Sequence, residues 1–349
     1  MSILIIYPQL DKPLTGGQVY DFAFIHQLEK IKLDLCKRLV DRELGTGNSF
    51  RYCFKYIRRI KYISKFDVII SNSRLYPRLF FLFIFLKLFY AKKNIIVFHH
   101  HFNFMTQKGV KRYIHKYIEL TLLKTVNTVI IPSPYVRDLM MKYCPSVKIE
   151  YLEIAFKHEV DIKVNQRKRN ELLFVGSVEP RKGLEFLIKM VEFLAISRLQ
   201  FHLTIVGKIA SQSYYQFLNS MLTEKKVSNY VTFTGQISDD QLKLIYGKSD
   251  IFTFPSLHEG YGMVLIEAMS YGLPVVAFDN SAMPYTVKDM SNGLLAENMN
   301  ADDFNFKVLL LLKNENLLIE LSKGAIDTYN KSRTTDMLNR EIAQFINNL

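Results

Sequence analysis

Short runs of apolar, often β-branched residues alternate along the whole chain with longer stretches in which apolar positions recur at helical spacing. Residues 3–7, 68–71, 95–98 and 129–132 in the first half predict buried strands, as do 172–175, 202–206, 231–234, 251–254 and 274–278 in the second. Strands separated by helical stretches make βαβ units and parallel sheets, so the expectation is an α/β protein of two doubly wound halves. Between the halves, residues 156–169 (FKHEVDIKVNQRKR) carry no apolar periodicity and read as the linker. The boundaries that follow are 1–165 for a first domain, 166–334 for a second, and 335–349 for a helix that crosses back to the first.

In an open parallel sheet, ligands gather at the carboxyl ends of the strands. Gly16-Gly17 follow the first strand and precede a helical run over residues 20–28; His99-His100-His101 follow residue 98. In the second half, GSVEPRKG (176–183) follows Val175 and presents Gly176, Arg181 and Lys182; Gly207 follows Val206; PSLHEGYG follows Phe254. Glycines and polar residues therefore recur at one edge of each sheet, and a cleft between two domains is the expected site.

The stretch HEGYGMVLIEAMSYGLPVV (258–276) sets a sharper question, because a carboxylate, Glu267, sits in an otherwise apolar helical run. A helix starting near Gly262 would offer its free amides and dipole to an anion such as a diphosphate. Glu259 lies in the loop ahead of it and Glu267 about a turn and a half inside. A carboxylate accepts two neighbouring hydroxyls, so one acid suits a ribose diol and the other a second sugar. The bland alternative puts Glu267 on the helix's solvent face and leaves Glu259 to favour the helix N-terminus electrostatically. Arg181 and Lys182 would supply cations for the diphosphate, against the alternative of a surface turn cap. The chain has no D-x-D, so a carboxylate-held Mg2+ has no obvious ligands, and no metal or other cofactor is expected. Of three consecutive histidines in extended chain only His99 and His101 point the same way, and no second cluster completes a zinc site. A histidine at a strand end suits a hydrogen bond to a sugar or acceptor hydroxyl, and His99 or His100 is favoured for it.

Charge adds a partner. The 349-residue chain has a net charge of +13, and residues 1–165 hold 27 Lys+Arg against 13 Asp+Glu, so the first half carries all the excess. That asymmetry predicts an anionic partner. The segment RYCFKYIRRIKYISK (51–65) has six basic residues, no acid and interleaved aromatics, a composition open to either nucleic acid or anionic lipid. LFFLFIFL (79–86) falls short of the roughly 18 residues needed to span a bilayer and predicts a crossover helix. Three cysteines without C-x-x-C spacing and an N-terminus without a secretory pattern make the cytoplasm the expected compartment, with the inner membrane face as a peripheral location.

FPSLHEGYGMVLIEAMSYGLPVVAFD resembles the hallmark segment of the retaining glycosyltransferases of family four, its E-x7-E pair being Glu259 and Glu267. SDIFTFPS, ELLFVGSVEPRKGLEFLI, LTIVG, YVTFTGQISDDQLKLIY and SNGLLAE fit the same family, closely over roughly residues 170–330 and loosely before. The resemblance implies a GT-B fold, two facing Rossmann-like domains with an inter-domain cleft, and metal-independent transfer that keeps the anomeric configuration. It implies that the second domain holds a nucleotide-diphosphate sugar and the first the acceptor. Glu259 would contact the donor sugar, Glu267 the ribose, and the amides of Gly260, Tyr261, Gly262 and Met263, with Val264 beside them, the sugar hydroxyls and distal phosphate. Arg181 and Lys182 would neutralise the departing diphosphate on the loop opened by Gly176. Gly17 would allow close approach beneath the diphosphate, and the base would lie against the loops after Gly207 and Gly235. Two positions depart from the family pattern: Ser177 stands where many members have arginine, and Tyr285 replaces a usual glutamate after Pro284. The implied function is transfer of a hexose-type sugar from a UDP- or GDP-sugar to a glycan acceptor, lipid-linked and at an anionic membrane surface, in bacterial O-antigen, capsule or other lipopolysaccharide-type biosynthesis. A sugar-nucleotide epimerase and a silent sugar-binding subunit are the alternatives. Nucleic-acid binding would leave Glu259 and Glu267 without a purpose, so no nucleic-acid partner is expected.

Overall fold

The computed structural model describes residues 2–8, 16–32, 36–41, 58–157, 170–197 and 199–349. Two compact units divide the chain: Met1–Phe156 with Arg333–Leu349, and Lys157–Ser332.

The first unit is built on a six-stranded parallel sheet of β1 (Ile3–Pro8), β2 (Cys36–Asp41), β3 (Val68–Asn72), β4 (Asn94–Phe98), β5 (Thr128–Ile131) and β6 (Lys148–Tyr151), in the order β2-β1-β3-β4-β5-β6. Its central strands β3, β4 and β5 are buried along almost their full length, as expected of a parallel sheet whose faces are covered by helices. The apolar run at 79–86 lies within the helix Tyr76–Phe89, which crosses from β3 to β4 and buries Leu79, Leu82, Phe83 and Leu86. The run at 20–28 lies within the helix Gly16–Ile31.

The C-terminal helix Thr335–Asn347 packs on Gly16–Ile31, with the Phe345 ring 6.0 Å from that of Phe24. Leu338, Ile342 and Ile346, four apart, form its buried stripe. The segment joins the first unit earlier than position 335, because Phe156 N donates to Arg333 O at 2.8 Å and Thr335 N to Phe156 O at 3.1 Å. The two compact units divide after Phe156 and after Ser332, and the expected 165/166 boundary lies outside the described residues. Most of the expected linker, 158–169, and the basic stretch at 51–57 lie outside the described residues.

The second unit repeats the plan with β7 (Glu171–Val175), β8 (His202–Val206), β9 (Val231–Gly235), β10 (Ile251–Phe254), β11 (Val275–Phe278) and β12 (Gly293–Ala296), all parallel, in the order β12-β11-β10-β7-β8-β9. Three strands were not expected from the sequence: β2, β6 and β12. All are edges of their sheets.

Candidate functional site

In the second unit the loops at the carboxyl ends of β7 and β10 meet. Pro180–Lys182 forms a single 3-10 turn, ended by Gly183 in the left-handed conformation (φ 65°), and the helix Leu184–Ile196 begins there. A side chain at Gly183 is excluded, since its Cβ would lie 2.3 Å from the Pro255 carbonyl oxygen. That contact holds the turn carrying Arg181 and Lys182 against the loop after β10, and Leu257 N donates to Arg181 O at 2.9 Å across it.

Glu259 is where the two loops converge chemically. Its Oε1 accepts from Lys182 Nζ at 2.6 Å, Arg181 Nη1 at 2.9 Å and Ser256 Oγ at 2.7 Å. Burial of this carboxyl works to raise its pKa, but Lys182, Arg181 and Ser256 outweigh it and hold the group at about 2, so it stays ionised. Lys182 is buried, with its ammonium 4.9 Å from the Phe254 ring centre. Arg181 is held on three sides, donating to His258 O at 2.7 Å and to Glu179 Oε1 at 3.0 Å as well as to Glu259. Its side chain is still 36% exposed, which leaves room for a further anion. Ser177, at the position that departs from the family pattern, donates to the same Glu179 oxygen at 2.7 Å and steadies Arg181 from behind. Neither Arg181 nor Lys182 is a surface turn cap.

The helix Met263–Ser270 starts from Gly262 at φ 84°, a left-handed N-cap with no side-chain capping bond, and Met263 and Val264 form its half-buried first turn after half-buried Gly260 and Tyr261. No side chain therefore closes this end of the helix. Glu267 does not sit on a solvent face. It is half-buried, accepts from Tyr246 Oη at 3.4 Å, and is pushed to a raised pKa chiefly by burial. Tyr246 is itself buried and stacked on Tyr271 at 5.1 Å. The two acids of the E-x7-E pair have separate partners.

Gly176 and Gly207 form one close contact between strand ends. Gly176 N donates to Val206 O at 2.9 Å, and a Cβ on Gly207 would lie 2.0 Å from Gly176 O. Ser256, Ser281 and Asn280 were missed by the sequence reading. Ser281 Oγ accepts from Glu259 N at 3.0 Å and donates to Asn280 Oδ1 at 2.8 Å, while Asn280 Nδ2 donates to Ser256 O at 3.1 Å. Serine and asparagine in the loop runs FPS (254–256) and DNS (279–281) carry no chemical signal of their own; contact with Glu259 reveals the two serines, and contact with those serines reveals Asn280.

In the first unit the histidines separate. His99 is fully buried, stacked on Tyr76 at 5.8 Å, edge-on to Phe102 at 4.4 Å and hydrogen-bonded through Nδ1 to Tyr76 Oη at 3.2 Å. Burial lowers its pKa, and it is a neutral core residue, which corrects the expectation that it faces a substrate. His100 turns the other way. Its Nε2 lies 2.7 Å from Asp21 Oδ1, and its ring packs on Gly17, where a Cβ would stand 3.3 Å from the imidazole. Buried Asp21 also accepts from Tyr7 Oη at 2.6 Å and Asn72 Nδ2 at 3.3 Å. Three strand ends and the first helix thereby fix one imidazole, and Asp21 was not singled out from the sequence because a lone aspartate in a helix has no distinguishing spacing.

Residues 157–328 match the model of the family described as glycosyl transferases group 1. A Klebsiella pneumoniae protein described as an uncharacterized 41.2 kDa protein in the cps region is 27% identical over 301 residues, 81% of this chain and 79% of that one. The O-antigen chain mannosyltransferase B of Escherichia coli is 27% identical over 174 residues, half of this chain and 43% of the enzyme. Among solved structures, Anabaena HepE in complex with UDP and glucose superposes with a TM-score of 0.76 over the full length of both chains at 16% identity, a likeness of fold.

Proposed function

We propose that this chain, a glycosyltransferase whose second unit is a group 1 domain, moves a hexose-type sugar from a nucleotide diphosphate to a hydroxyl of a glycan acceptor in surface polysaccharide assembly. The observation that carries the proposal is the convergence of Lys182, Arg181 and Ser256 on one oxygen of buried Glu259, within the same loop that leads to the open N-terminus of the Met263–Ser270 helix. Permanent cations beside free helix amides are what a departing diphosphate needs, and they can supply that stabilisation without a metal.

In this reading Glu267 accepts the ribose hydroxyls, and Tyr246 fixes the carboxylate. The exposed part of Arg181 meets the diphosphate. Ionised Glu259 faces the positive charge that develops at the anomeric carbon. The acceptor oxygen bonds to that carbon on the face from which the diphosphate departs, so the configuration is kept. The breaking C–O bond leaves its electron pair on the terminal phosphate oxygen, which takes the acceptor's proton. His100, oriented by Asp21, hydrogen-bonds a sugar or acceptor hydroxyl. The basic first unit suits a lipid-linked acceptor at the anionic inner face of the cytoplasmic membrane.

The test is thermal stabilisation by a panel of UDP- and GDP-sugars in EDTA, on the wild type and on Glu267→Ala. A mannosyl donor is the first to try, given the Escherichia coli relative. One donor that stabilises the wild type and not the variant supports the proposal. Stabilisation that needs a divalent cation overturns its metal-free part, and no stabilisation by any donor overturns the donor assignment.

A further inference from the structure

The helix Gly109–Thr125 of the first unit has two different halves. Its C-terminal half buries Ile118, Leu122 and Leu123 against neighbours that include the helix Tyr76–Phe89. Its first two turns carry Val110, Tyr113, Ile114 and Tyr117, spaced by three, one and three. That is the spacing with which a helix forms a single apolar stripe. Yet these four side chains are between 51% and 74% exposed.

Charge says what suits the stripe. Lys108, Lys111 and Arg112 stand exposed beside it. Over residues 108–125 the one acid is Glu119, which is buried and accepts the amides of Asn103 and Phe104 at 2.8 and 3.1 Å. The exposed charge of this helix is therefore cationic. Lys116 is not part of that charge, because it lies over the Phe104 and Tyr143 rings at 5.8 and 5.3 Å. The adjoining helix Tyr76–Phe89 ends with Leu88 and Phe89 exposed beside exposed Lys87. No helix among the described residues is long and apolar enough to cross a membrane.

We infer that the face formed by Val110, Tyr113, Ile114 and Tyr117, with Lys108, Lys111 and Arg112 at its border, seats this unit on an anionic lipid bilayer. Tyrosine has an apolar ring and a polar tip, and it is favoured at the depth where acyl chains meet headgroups. A stripe of two turns bordered by cations lies in that plane and does not cross it. A second copy of this chain fits the face less well, since basic borders would then be brought together. The inference deepens the proposed function by placing the acceptor-binding unit where a lipid-linked acceptor would stand. It rests on that reading for its purpose only.

The experiment uses the full chain and sedimented vesicles of phosphatidylcholine, with and without phosphatidylglycerol. Wild type is expected on the anionic vesicles and not on the neutral ones. The double variant Tyr113→Ser/Tyr117→Ser, and separately Lys111→Glu/Arg112→Glu, should each lower binding by roughly tenfold, the second also removing most of the salt dependence. Lys248→Glu in the second unit should bind as wild type. Circular dichroism keeps misfolding apart from lost binding. Wild-type affinity in both folded double variants would overturn the inference, as would equal binding to neutral vesicles. Absence of vesicle binding together with a sedimentation coefficient changed by the tyrosine variant would reassign the face to self-association. Vesicle binding is read without any sugar donor, so its failure and failure of the donor assignment are separate results.

Discussion

Lys182 Nζ stands 2.6 Å from Glu259 Oε1, and both side chains are buried. Removing one member of a buried ion pair leaves the other uncompensated, commonly at a cost of about 3–5 kcal/mol. Arg181 and Ser256 remain on the same oxygen here, so Lys182→Met is expected at or below the lower end of that range. The pH dependence gives a second readout. The native pKa of about 2 lies below the ordinary carboxylate value of 4.5, so the pair's contribution is present above 4.5 and lost as pH falls through 2. Lys182→Met raises the native pKa and narrows that window from below. Urea unfolding across the acid range should show the variant losing stability at higher pH than wild type; coincident acid limbs would mean that Arg181 alone holds the charge.

Glu267 is predicted to trade stability for binding. Its pKa is raised, chiefly by burial, so its contribution is fully present below the ordinary carboxylate value and is lost as pH rises through the native one. At neutral pH the ionised group is a cost to the empty protein. Glu267→Gln should therefore unfold at a higher temperature than wild type without ligand, while its affinity for the nucleotide sugar falls by roughly tenfold or more. A purely structural glutamate would not move the two measurements in opposite directions.

Much of this was legible in the sequence because central strands of parallel sheets are buried on both faces and read as unbroken apolar runs. β3, β4, β10 and β11 are examples. The three strands that escaped, β2, β6 and β12, are edge strands. CKRLVD and KIEY mix charge with apolar residues because an edge has a neighbour on one side only. Within the site, Glu259, Glu267, Arg181 and Lys182 were visible through their spacing from glycines and strand ends. Ser281 and Asp21 were not, since each acts through a partner distant in sequence: Asp21 reaches His100 across 79 positions, and Ser281 reaches Glu259 across 22. Ser256 stands only three positions from Glu259, but a serine in a loop has no spacing that marks it. The histidine run shows the same limit. One step along the chain separates a core imidazole from one tied to Asp21, and alternation alone does not tell which face of the sheet edge is covered.

Among the glycines of the second unit, Gly207 permits a close approach and Gly247 does not. Gly207→Ala would drive a Cβ to 2.0 Å from Gly176 O, backbone against backbone, and the strand ends must part. We expect a loss of more than about 2 kcal/mol. Gly247 lies in the helix Asp239–Lys248, with nothing within 4 Å of an added Cβ. Gly247→Ala should stabilise by roughly 0.5–1 kcal/mol through helix propensity. Thermal melts of the two variants check the contrast, and similar shifts would show that the Gly176–Gly207 contact is not a constraint.

Glu119 lies on the buried side of the helix that carries the exposed stripe, and burial pushes its pKa to about 7 despite the amides of Asn103 and Phe104 that favour the ion. A carboxyl with a raised native pKa binds its proton more tightly in the folded state, so its stabilising contribution is complete below 4.5 and declines until pH passes 7. The interval corresponds to about 3 kcal/mol. Glu119→Gln cannot titrate, and its single acceptor oxygen serves one of the two amides, at a cost of roughly 1 kcal/mol. Wild type should therefore be the more stable protein at about pH 4 and the less stable at about pH 8. Urea unfolding of both at the two pH values tests this directly: curves that cross identify Glu119 as a buried acid that changes charge near neutrality, whereas a constant difference would show that the two amides keep it ionised throughout.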